Sequence, residues 1–353
     1  RVSRAARGRP RSRVKAALLA EYHRPLELVE RAEPEPAGWR DVVVRVGGAG
    51  VCATDLHAID GLMEPSGLRP PVVLGHENAG WVHAVGPGVT AAKVGDAVLV
   101  YPPYACGLCV QCRRGNDVHC ANHGFTGLTR DGGFAEYVLV DERSLLPLPE
   151  GVEPAAVAPH ADAGITAYHA VRKLRDRLVP GTTAAVIGVG GVGHIALQLL
   201  RVLGAGRVVA IDTDERRRAL ARELGADEVL GGENDVAGAL REATGGAGAD
   251  VVIDVVGADA THALGQAILA RRGILSFVGY GGTVTVPSVD LVVGETAYCG
   301  NLVGTWIDLW ELLQLHVQGK VELRTETHPL DAVNDVLDKL RAGEVTGRAV
   351  LVP

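Results

Sequence analysis

The amino-acid sequence predicts an α/β protein in which a β-rich domain is followed by a domain with a doubly wound parallel sheet. Over residues 14–160, short β segments alternate with glycine- and proline-containing turns, such as Gly86-Pro87-Gly88. From about residue 164 to 302, apolar strands alternate with amphipathic helices, which is the pattern of a parallel sheet covered on both faces. The length of 353 residues allows two domains, each with its own core.

The individual elements follow from the same periodicities. In the β-rich part, the clearest strands are 42–46, 79–85, 97–100 and 135–140. In the second part, the predicted strands are 184–187, 208–212, 228–230, 251–255 and 274–278, with a sixth near 302–303. The helices predicted between them are 192–203, 215–224, 236–243 and 261–269. The end of the chain adds helices at 308–318 and 330–341 and a strand at 349–352.

The composition is that of a globular protein, with 47% apolar and 22% charged residues. No apolar run is long enough to span a bilayer, so we expect no membrane partner. Residues 1–13 carry six arginines and no acid, and without them 29 basic residues face 42 acidic ones, a net charge of −13. This acidic body disfavours a nucleic-acid partner, because phosphates need a positive surface. We interpret residues 1–13 as an arginine-rich extension rather than a targeting segment or a nucleic-acid arm.

Four closely spaced cysteines predict a structural zinc site. The run C-x2-C-x2-C-x7-C comprises Cys106, Cys109, Cys112 and Cys120. Four thiolates can surround one Zn²⁺ and leave no position open, so such a site stabilises structure and does no chemistry. An iron–sulfur cluster is disfavoured because the C-x3-C-P continuation is missing, and disulfides because no secretory signal peptide opens the chain.

A glycine-rich turn predicts a dinucleotide site at the start of the parallel sheet. A strand runs into G-x-G-x-x-G and then into a helix; the turn residues are Gly188, Gly190, Gly191, Val192 and Gly193. In a Rossmann unit the first glycine permits the tight turn, the second lets the pyrophosphate approach, and the third lets the helix pack closely on the strand. The helix N-terminus then offers free N–H groups to the phosphates.

The acid at the end of the second strand predicts the form of the cofactor. Asp212 lies nineteen residues beyond Gly193, where a carboxylate accepts hydrogen bonds from the adenosine ribose and repels a 2′-phosphate. This favours NAD over NADP, although a strand-end acid that caps the next helix is the alternative role. Arg217 is a further candidate near the ribose, with a solvated helix position as its alternative.

A second set of metal ligands is indicated by Cys52, which lies outside the cysteine run, and by His76. A thiolate and an imidazole from separate loops supply two of the three protein ligands that a catalytic zinc needs. The alternative is a buried cysteine and a hydrogen-bonded histidine without metal. Taken singly, each residue favours that alternative.

Together these motifs resemble the zinc-dependent alcohol dehydrogenases of the medium-chain dehydrogenase/reductase family. The resemblance rests on C-x-T-D-x-H at Cys52, G-H-E-x-x-G at His76, the four-cysteine lobe and the Rossmann unit, and it covers the chain after residue 13. It implies a GroES-like catalytic domain over 14–163 and 303–353, with the zinc lobe at about 104–124, and an NAD-binding domain over 164–302. Two zinc ions per chain, one catalytic and one structural, are implied as well.

The third ligand departs from the family pattern. Where the family commonly has Cys-Ala-Gly, this chain has Asp162-Ala163-Gly164. Asp162 is preferred as the ligand because a carboxylate also binds zinc, and an aspartate here is similar to a bacterial subgroup that acts on secondary alcohols. Its alternative role is the N-cap of the following helix, and His160 is a rival ligand.

The resemblance also implies the roles of the residues around the catalytic zinc. The metal would bind the alcohol oxygen and favour hydride transfer to NAD, giving a ketone or aldehyde. Thr54 would take the hydroxyl proton, His57 would pass it to solvent, and Asp55 would orient His76. Glu77 is similar to an acid that lies behind the metal in the family, with a purely structural carboxylate as the equal alternative.

Substrate and assembly are the least constrained predictions. Motif alignment suggests Pro103, Tyr104 and Trp306 as pocket residues, with Leu128 as a fourth, and aromatic walls favour apolar or aryl alcohols and ketones. The alternatives are a polyol, amino-alcohol or aldehyde dehydrogenase of the same family, or a catalytically silent relative. The resemblance implies a homo-oligomer, a tetramer rather than a dimer. The single remaining cysteine, Cys299, fits a buried position and a reducing cytoplasm.

Overall fold

The computed structural model describes residues 12–232 and 235–353, and over this part of the chain it forms three β-sheets. The β-rich domain begins with β1 to β8. Their bounds are Arg13–Leu19, Glu27–Ala32, Asp41–Gly50, Val72–Val73, Glu77–Val85, Ala97–Val100, Tyr137–Asp141 and Leu145–Pro147. Its helices are α1 (Ala53–Ile59), α2 (Val110–Arg113) and α3 (Pro154–Val157).

Two sheets form the β-rich domain. Strands β2, β1 and β4 make an antiparallel three-stranded sheet, and β3, β5, β6 and β8 belong to a larger sheet that β7 joins through β3. The strand β1 begins at Arg13 and pairs with Ala32, so the end of the predicted extension belongs to the fold. Residues 1–11 of that extension lie outside the described residues.

The second domain is a six-stranded parallel sheet with helices on its faces, as predicted. Its strands β9 to β14 are Thr183–Ile187, Arg207–Ile211, Glu228–Leu230, Ala249–Asp254, Leu269–Phe277 and Ala297–Gly300. Its helices α4 to α9 are Ala163–Arg172, Gly193–Val202, Glu215–Glu223, Val236–Ala243, Asp259–Ile268 and Ser288–Gly294. Strand β9 is almost wholly buried, which is typical of a parallel strand covered on both sides.

The strand order fixes where a ligand can bind in this sheet. The order is β11-β10-β9-β12-β13-β14, so the chain reverses direction across the sheet between β9 and β12. Ligands of such sheets bind beyond the carboxyl ends of the strands at that reversal. The glycine-rich turn follows β9, and residues 278–282 follow β13 at the same edge.

The predicted sixth strand near 302–303 is wrong by a few residues. The edge strand is β14, Ala297–Gly300, which pairs in parallel with β13. The Asn301 N–H makes the last backbone bond of this pairing, to the Phe277 carbonyl, and Val303 then has φ = +45°, which takes the chain out of the extended conformation. The apolar pair at 302–303 therefore lies in a turn that faces the cleft between the domains.

The last segment returns to the β-rich domain. It comprises α10 (Trp306–Val317), β15 (Thr325–Pro329), α11 (Val333–Arg341) and β16 (Arg348–Val352), and β16 pairs with β3. Helices α4 and α10 pack beside β5 and β6 through an apolar cluster that includes Leu99, Ile165 and Leu309. The domain boundaries stay a prediction. Among the described residues, no helix is both long and apolar enough to cross a membrane.

Candidate active site

Four ligand-type side chains from separate parts of the chain meet at one buried point. They are Cys52, His76, Glu77 and Asp162, and one ligand atom of each lies within 4.8 Å of the others. Cys52 Sγ is 3.5 Å from Asp162 Oδ2, and His76 Nε2 is 3.4 Å from the same oxygen. The structure therefore brings together the three side chains predicted as catalytic-zinc ligands, with Glu77 beside them.

Helix α1 positions the cysteine of this cluster. The Cys52 backbone N–H donates to Asp55 Oδ2 at 2.9 Å, and the Asp55 N–H donates back to the Cys52 carbonyl at 3.0 Å. The other carboxylate oxygen, Asp55 Oδ1, is 3.3 Å from His76 Nδ1. Asp55 thus links the helix start to the imidazole, which fits the predicted role of orienting His76.

Close backbone packing holds His76 and Glu77 in place. Gly75 has φ = +94°, and a Cβ there would come within 2.4 Å of the Phe134 side chain. On the neighbouring strand β3, a Cβ at Gly50 would lie 1.9 Å from Glu77 Oε2. Glycine is therefore required at both positions. The close packing that it allows leaves the buried Glu77 carboxylate next to His76.

Asp162 faces the cluster rather than the helix that follows it. Its carboxylate makes no capping hydrogen bond to α4, and the Ala163 N–H donates instead to Glu77 Oε1 at 3.0 Å. The N-cap alternative is therefore excluded for this side chain. His160, the rival ligand, packs against His316 with ring centroids 4.8 Å apart and does not belong to the ligand cluster.

Sequence reasoning missed a buried arginine beside these ligands. Arg348 Nη2 lies 2.5 Å from Glu77 Oε1, and both side chains are almost fully buried. Burial raises the pKa of Glu77, and the positive charge of Arg348 opposes that rise. A Cβ at Gly191 would come within 2.3 Å of Arg348 Nη1, so the guanidinium also touches the glycine-rich turn. The sequence feature that could have revealed this residue is an arginine at the start of the otherwise apolar strand β16.

The residues of the cluster fit a zinc ion. Ligand atoms 2.0–2.3 Å from a tetrahedral zinc stand about 3.3–3.8 Å apart, and the separations of 3.4 and 3.5 Å agree. Neither ring nitrogen of His76 makes a well-aimed hydrogen bond, and Glu77 Oε2 has no partner either. Burial disfavours a charged His76, but the carboxylates of Asp55 and Asp162 raise its pKa. A buried site whose ligand atoms lack hydrogen-bond partners is one that a metal ion stabilises.

The sulfur–sulfur distances in the four-cysteine lobe also fit a zinc ion. The Sγ atoms of Cys109 and Cys112 are 3.5 Å apart, and those of Cys106–Cys112 and Cys109–Cys120 are 4.0 Å apart. Sulfurs 2.3 Å from one zinc stand about 3.8 Å apart. The Leu108 and Cys109 N–H groups donate to Cys106 Sγ at 3.4 and 3.3 Å and lower the pKa of Cys106 to about 6. These backbone bonds favour the thiolate at Cys106, whereas burial raises the pKa of Cys112 to about 12.

The turn after β9 has room for a ligand where the sequence predicts a pyrophosphate. Gly188 has φ = +92°, and a Cβ at Gly193 would lie 1.8 Å from the Gly188 carbonyl oxygen. A Cβ at Gly190 would meet no protein atom beyond its chain neighbours within 4 Å, so the fold leaves open space at this position. Val192 is the N-cap residue of α5, so the N-terminus of this helix adjoins the turn.

Asp212 lies against that turn. Its Oδ2 accepts the Val189 N–H at 2.7 Å and its Oδ1 accepts the Asp214 N–H at 2.9 Å, which fixes the carboxylate after β10. It does not cap α6, because the Asp214 side chain does so. Arg217 is half-buried and donates to the Gly343 carbonyl at 3.2 Å, which ties α6 to the segment after α11.

A cavity of about 780 Å³ lies between the two domains and is lined by Cys52, His76 and Asp162. Thr54 and His57 line it as well. Most of its wall is apolar, formed by Met63, Leu68, Pro103, Phe125, Leu128 and Leu302. The metal-ligand cluster and the predicted proton-transfer residues thus share one cleft.

Two predicted pocket residues lie outside this cavity lining, and this corrects the alignment-based assignment. The Tyr104 ring stacks under the Arg130 guanidinium, 4.0 Å from its centroid, on another face. The Trp306 Nε1–H donates to the Leu145 carbonyl at 3.2 Å, so its ring packs into the domain rather than the cleft. Both residues lie near pocket residues in the sequence, but their side chains point away from the cavity.

Comparison with known proteins agrees with this geometry. A profile of the alcohol dehydrogenase GroES-like domain matches residues 38–150, and one of the zinc-binding dehydrogenase family matches residues 191–318. An alcohol dehydrogenase of Geobacillus stearothermophilus is 36% identical over 96% of this chain and 99% of its own length. A D-arabinose 1-dehydrogenase (NADP⁺) of Saccharolobus solfataricus is also 36% identical, over 96% and 97%. The crystal structure of the Aeropyrum pernix alcohol dehydrogenase superposes with a TM-score of 0.93 at 44% identity, covering 96% of this chain and all of that one.

Proposed function

This chain belongs to the zinc-binding alcohol dehydrogenase family, and from that premise we propose that it interconverts apolar secondary or aryl alcohols and their ketones or aldehydes with NAD. It is an oxidoreductase of the alcohol dehydrogenase type. The observation that carries the proposal is the meeting of Cys52, His76 and Asp162 at the wall of an apolar cleft.

Two zinc ions per chain are proposed, with different tasks. Cys106, Cys109, Cys112 and Cys120 would hold one in a closed site. Cys52, His76 and Asp162 would hold the other, and Glu77, fixed by Arg348, would stand beside it as a second carboxylate. When bound there, zinc supplies a Lewis acid that polarises an alcohol or carbonyl oxygen.

Proton transfer is assigned to two residues of α1. Thr54 lines the cleft with its Oγ1 3.8 Å from Cys52 Sγ, so its hydroxyl can accept the proton of an alcohol that enters beside the ligands. His57 follows one turn later and is half-buried. Burial lowers the pKa of His57, so the ring is neutral near pH 7 and can take up the proton and release it to solvent.

NAD is proposed as the hydride acceptor because of the charges around Asp212. Its buried carboxylate would accept bonds from the adenosine ribose and repel a 2′-phosphate. Of the neighbouring arginines, Arg216 pairs with Asp214 at 2.7 Å and Arg218 with Glu215 at 2.5 Å, while Arg217 donates to the Gly343 carbonyl. The relative that uses NADP shows that this preference has to be measured for each member.

The apolar wall supports the substrate class. Met63, Phe125, Leu128 and Leu302 would contact the groups on either side of the carbinol carbon, and a polyol or sugar would lose hydrogen bonds to water there. A homo-tetramer in the cytoplasm stays a prediction from the family resemblance alone.

A substrate panel with metal analysis tests the proposal. NADH formation is measured with 1-phenylethanol, 2-butanol, ethanol, glycerol and D-arabinose, with NADP⁺ as the parallel cofactor. We expect the highest kcat/KM for 1-phenylethanol with NAD, and two zinc ions per chain. Preference for glycerol or D-arabinose, or for NADP⁺, would overturn the proposed substrate class or cofactor.

A further inference from the structure

An aromatic side chain of the parallel-sheet domain reaches across the cleft to the other domain. Tyr280, in the segment after β13, has its Oη 3.1 Å from His57 Nδ1, and the two rings meet edge to face with centroids 5.3 Å apart. The same hydroxyl lies 3.5 Å from Met63 Sδ. The side chain of Thr54 is a further hydrogen-bond partner of the phenol. The phenol therefore contacts the β-rich domain although its backbone belongs to the other one.

The backbone that carries this side chain is firmly held. The Gly279 N–H donates to the Asp254 carbonyl at 3.1 Å, and the Gly282 N–H donates to the Gly257 carbonyl at 2.8 Å. Gly257 has φ = +78°, and a Cβ there would lie 2.2 Å from the Tyr280 nitrogen. The turn is thus packed against the end of β12, which fixes the backbone from which the half-exposed phenol extends into the cleft.

His57 depends on that phenol for its orientation. In the part of the chain that the structure describes, Tyr280 is the hydrogen-bond partner of its ring. The charged groups nearest to the ring, Asp60 on the same side of α1 and Arg341 of α11, pair with each other at 2.9 Å. They act on the imidazole through charge: besides burial, which lowers the pKa of His57, Asp60 raises this pKa and Arg341 lowers it.

We propose that Tyr280 is a positioning residue for proton transfer: its hydroxyl fixes the His57 imidazole, and does so only while the two domains are closed over the cleft. The inference rests on the proposed dehydrogenase function, which assigns His57 to that step. With the Nδ1–H of the neutral ring donating to the phenol oxygen, the Nε2 lone pair takes up the proton and then releases it to water. Opening of the cleft would release the ring, so that the proton path forms together with the closed active site.

The competing interpretation is that Tyr280 serves only as a wall of the cavity, which its side chain also lines. Two substitutions separate the two roles. Tyr280→Phe keeps the ring and removes the oxygen, so a wall would be unchanged. Tyr280→Ala removes both, and a wall would then show a higher KM for bulky alcohols.

The test is an NMR titration of the histidine side chains in the zinc-loaded protein, with the His57 signal assigned from its loss in His57→Gln. A protonated ring donates from Nδ1 to the phenol oxygen, and charge-assisted bonds are the stronger ones. Tyr280→Phe should therefore lower the pKa of His57 by about half a unit. The acid limb of the pH profile of kcat/KM should move down with it. We expect kcat for alcohol oxidation to fall about tenfold, with little change in KM.

Tyr298→Phe is the matched control, because Tyr298 lies on β14 of the same domain and stacks on Phe277 away from His57. It should leave the titration, the profile and kcat unchanged. An unchanged pKa of His57 and unchanged kcat in Tyr280→Phe would overturn the positioning role. If instead the wild-type protein reduces no NAD with any alcohol while the His57 titration still shifts, the proposed function fails and the contact stands.

Discussion

The two metal-ligand clusters of this protein are built in opposite ways. The four cysteines of the lobe lie within fifteen residues of chain and are mostly half-exposed, and backbone N–H groups of the same loop support their sulfurs. The cluster at Cys52 is fully buried and draws its ligands from residues 52 to 162. One site is therefore fixed by local sequence, and the other only by the packing of strands, helices and a buried ion pair.

This difference in construction explains why different roles are proposed for the two zinc ions. A closed set of four thiolates needs no cavity and stabilises a polar loop. The buried set mixes thiol, imidazole and carboxylate, adjoins a cleft, and is surrounded by charges that must be balanced. Chemistry at the second site therefore depends on residues far away in sequence, and damage to the two sites should have separable consequences.

The largest difference between the two metal sites is expected when a ligand of the buried cluster is removed. His76→Ala should leave one zinc ion per chain and lower alcohol oxidation by about 10³-fold or more, because several kcal/mol of charge stabilisation is lost. Metal analysis and NADH formation measure both effects. Cys299→Ala is the control and should keep two zinc ions and full activity. Equal activity of the two variants would contradict the assignment.

The buried ion pair between Glu77 and Arg348 should contribute more to the free energy of unfolding than any surface pair. Arg348→Met leaves Glu77 buried without a partner and should lower the free energy of unfolding by about 3–5 kcal/mol. Urea denaturation measures this, with Arg31→Met as the control, because its pair with Asp131 is about half exposed and should contribute about 1 kcal/mol or less. The double variant Glu77→Gln/Arg348→Met should recover much of the loss. A loss as small as that of the control would show that Glu77 is not charged there.

Removing a ligand of the lobe should affect catalysis less than removing one of the buried cluster. Cys109→Ala should release the lobe zinc and expose residues 104–124 to proteolysis, while the buried zinc stays. Since Val118 and His119 of the lobe line the cleft, activity should fall by up to about 100-fold through misplacement of the wall. Complete loss of both zinc ions in this variant would break the proposed independence of the two sites.

The smallest effect is expected from restoring the ligand that the family commonly has. Asp162→Cys replaces a hard ligand by a soft one that zinc also binds well. We expect two zinc ions per chain and activity within about tenfold of the wild type, measured with the same alcohol panel. Loss of the second zinc would show that the surrounding packing accepts only a carboxylate.

Sequence reasoning places residues in the right element where the signal is local. The four-cysteine run, the glycine turn after β9 and the acid at Asp212 each lie within one short segment, and the structure has each in the expected element. The strand at 302–303 was misplaced because an apolar pair in a turn resembles a short strand. Periodicity cannot separate the two over so few residues.

The parts that could not be predicted involve contacts between distant residues. Arg348 is 271 residues from Glu77, and Tyr280 is 223 residues from His57, so no spacing in the chain links either pair. Tyr104 and Trp306 show the other difficulty, because a residue near the pocket in sequence can turn its side chain into a neighbouring loop or core. Contacts between distant residues and the directions of side chains are both determined by tertiary packing.

The most direct test of the account is the zinc content and activity of Asp162→Ala beside the wild type. The account predicts two zinc ions per chain in the wild type, and one in the variant, with alcohol oxidation largely lost and the lobe zinc retained. Two zinc ions and full activity in Asp162→Ala would contradict the claim that this carboxylate completes the buried site.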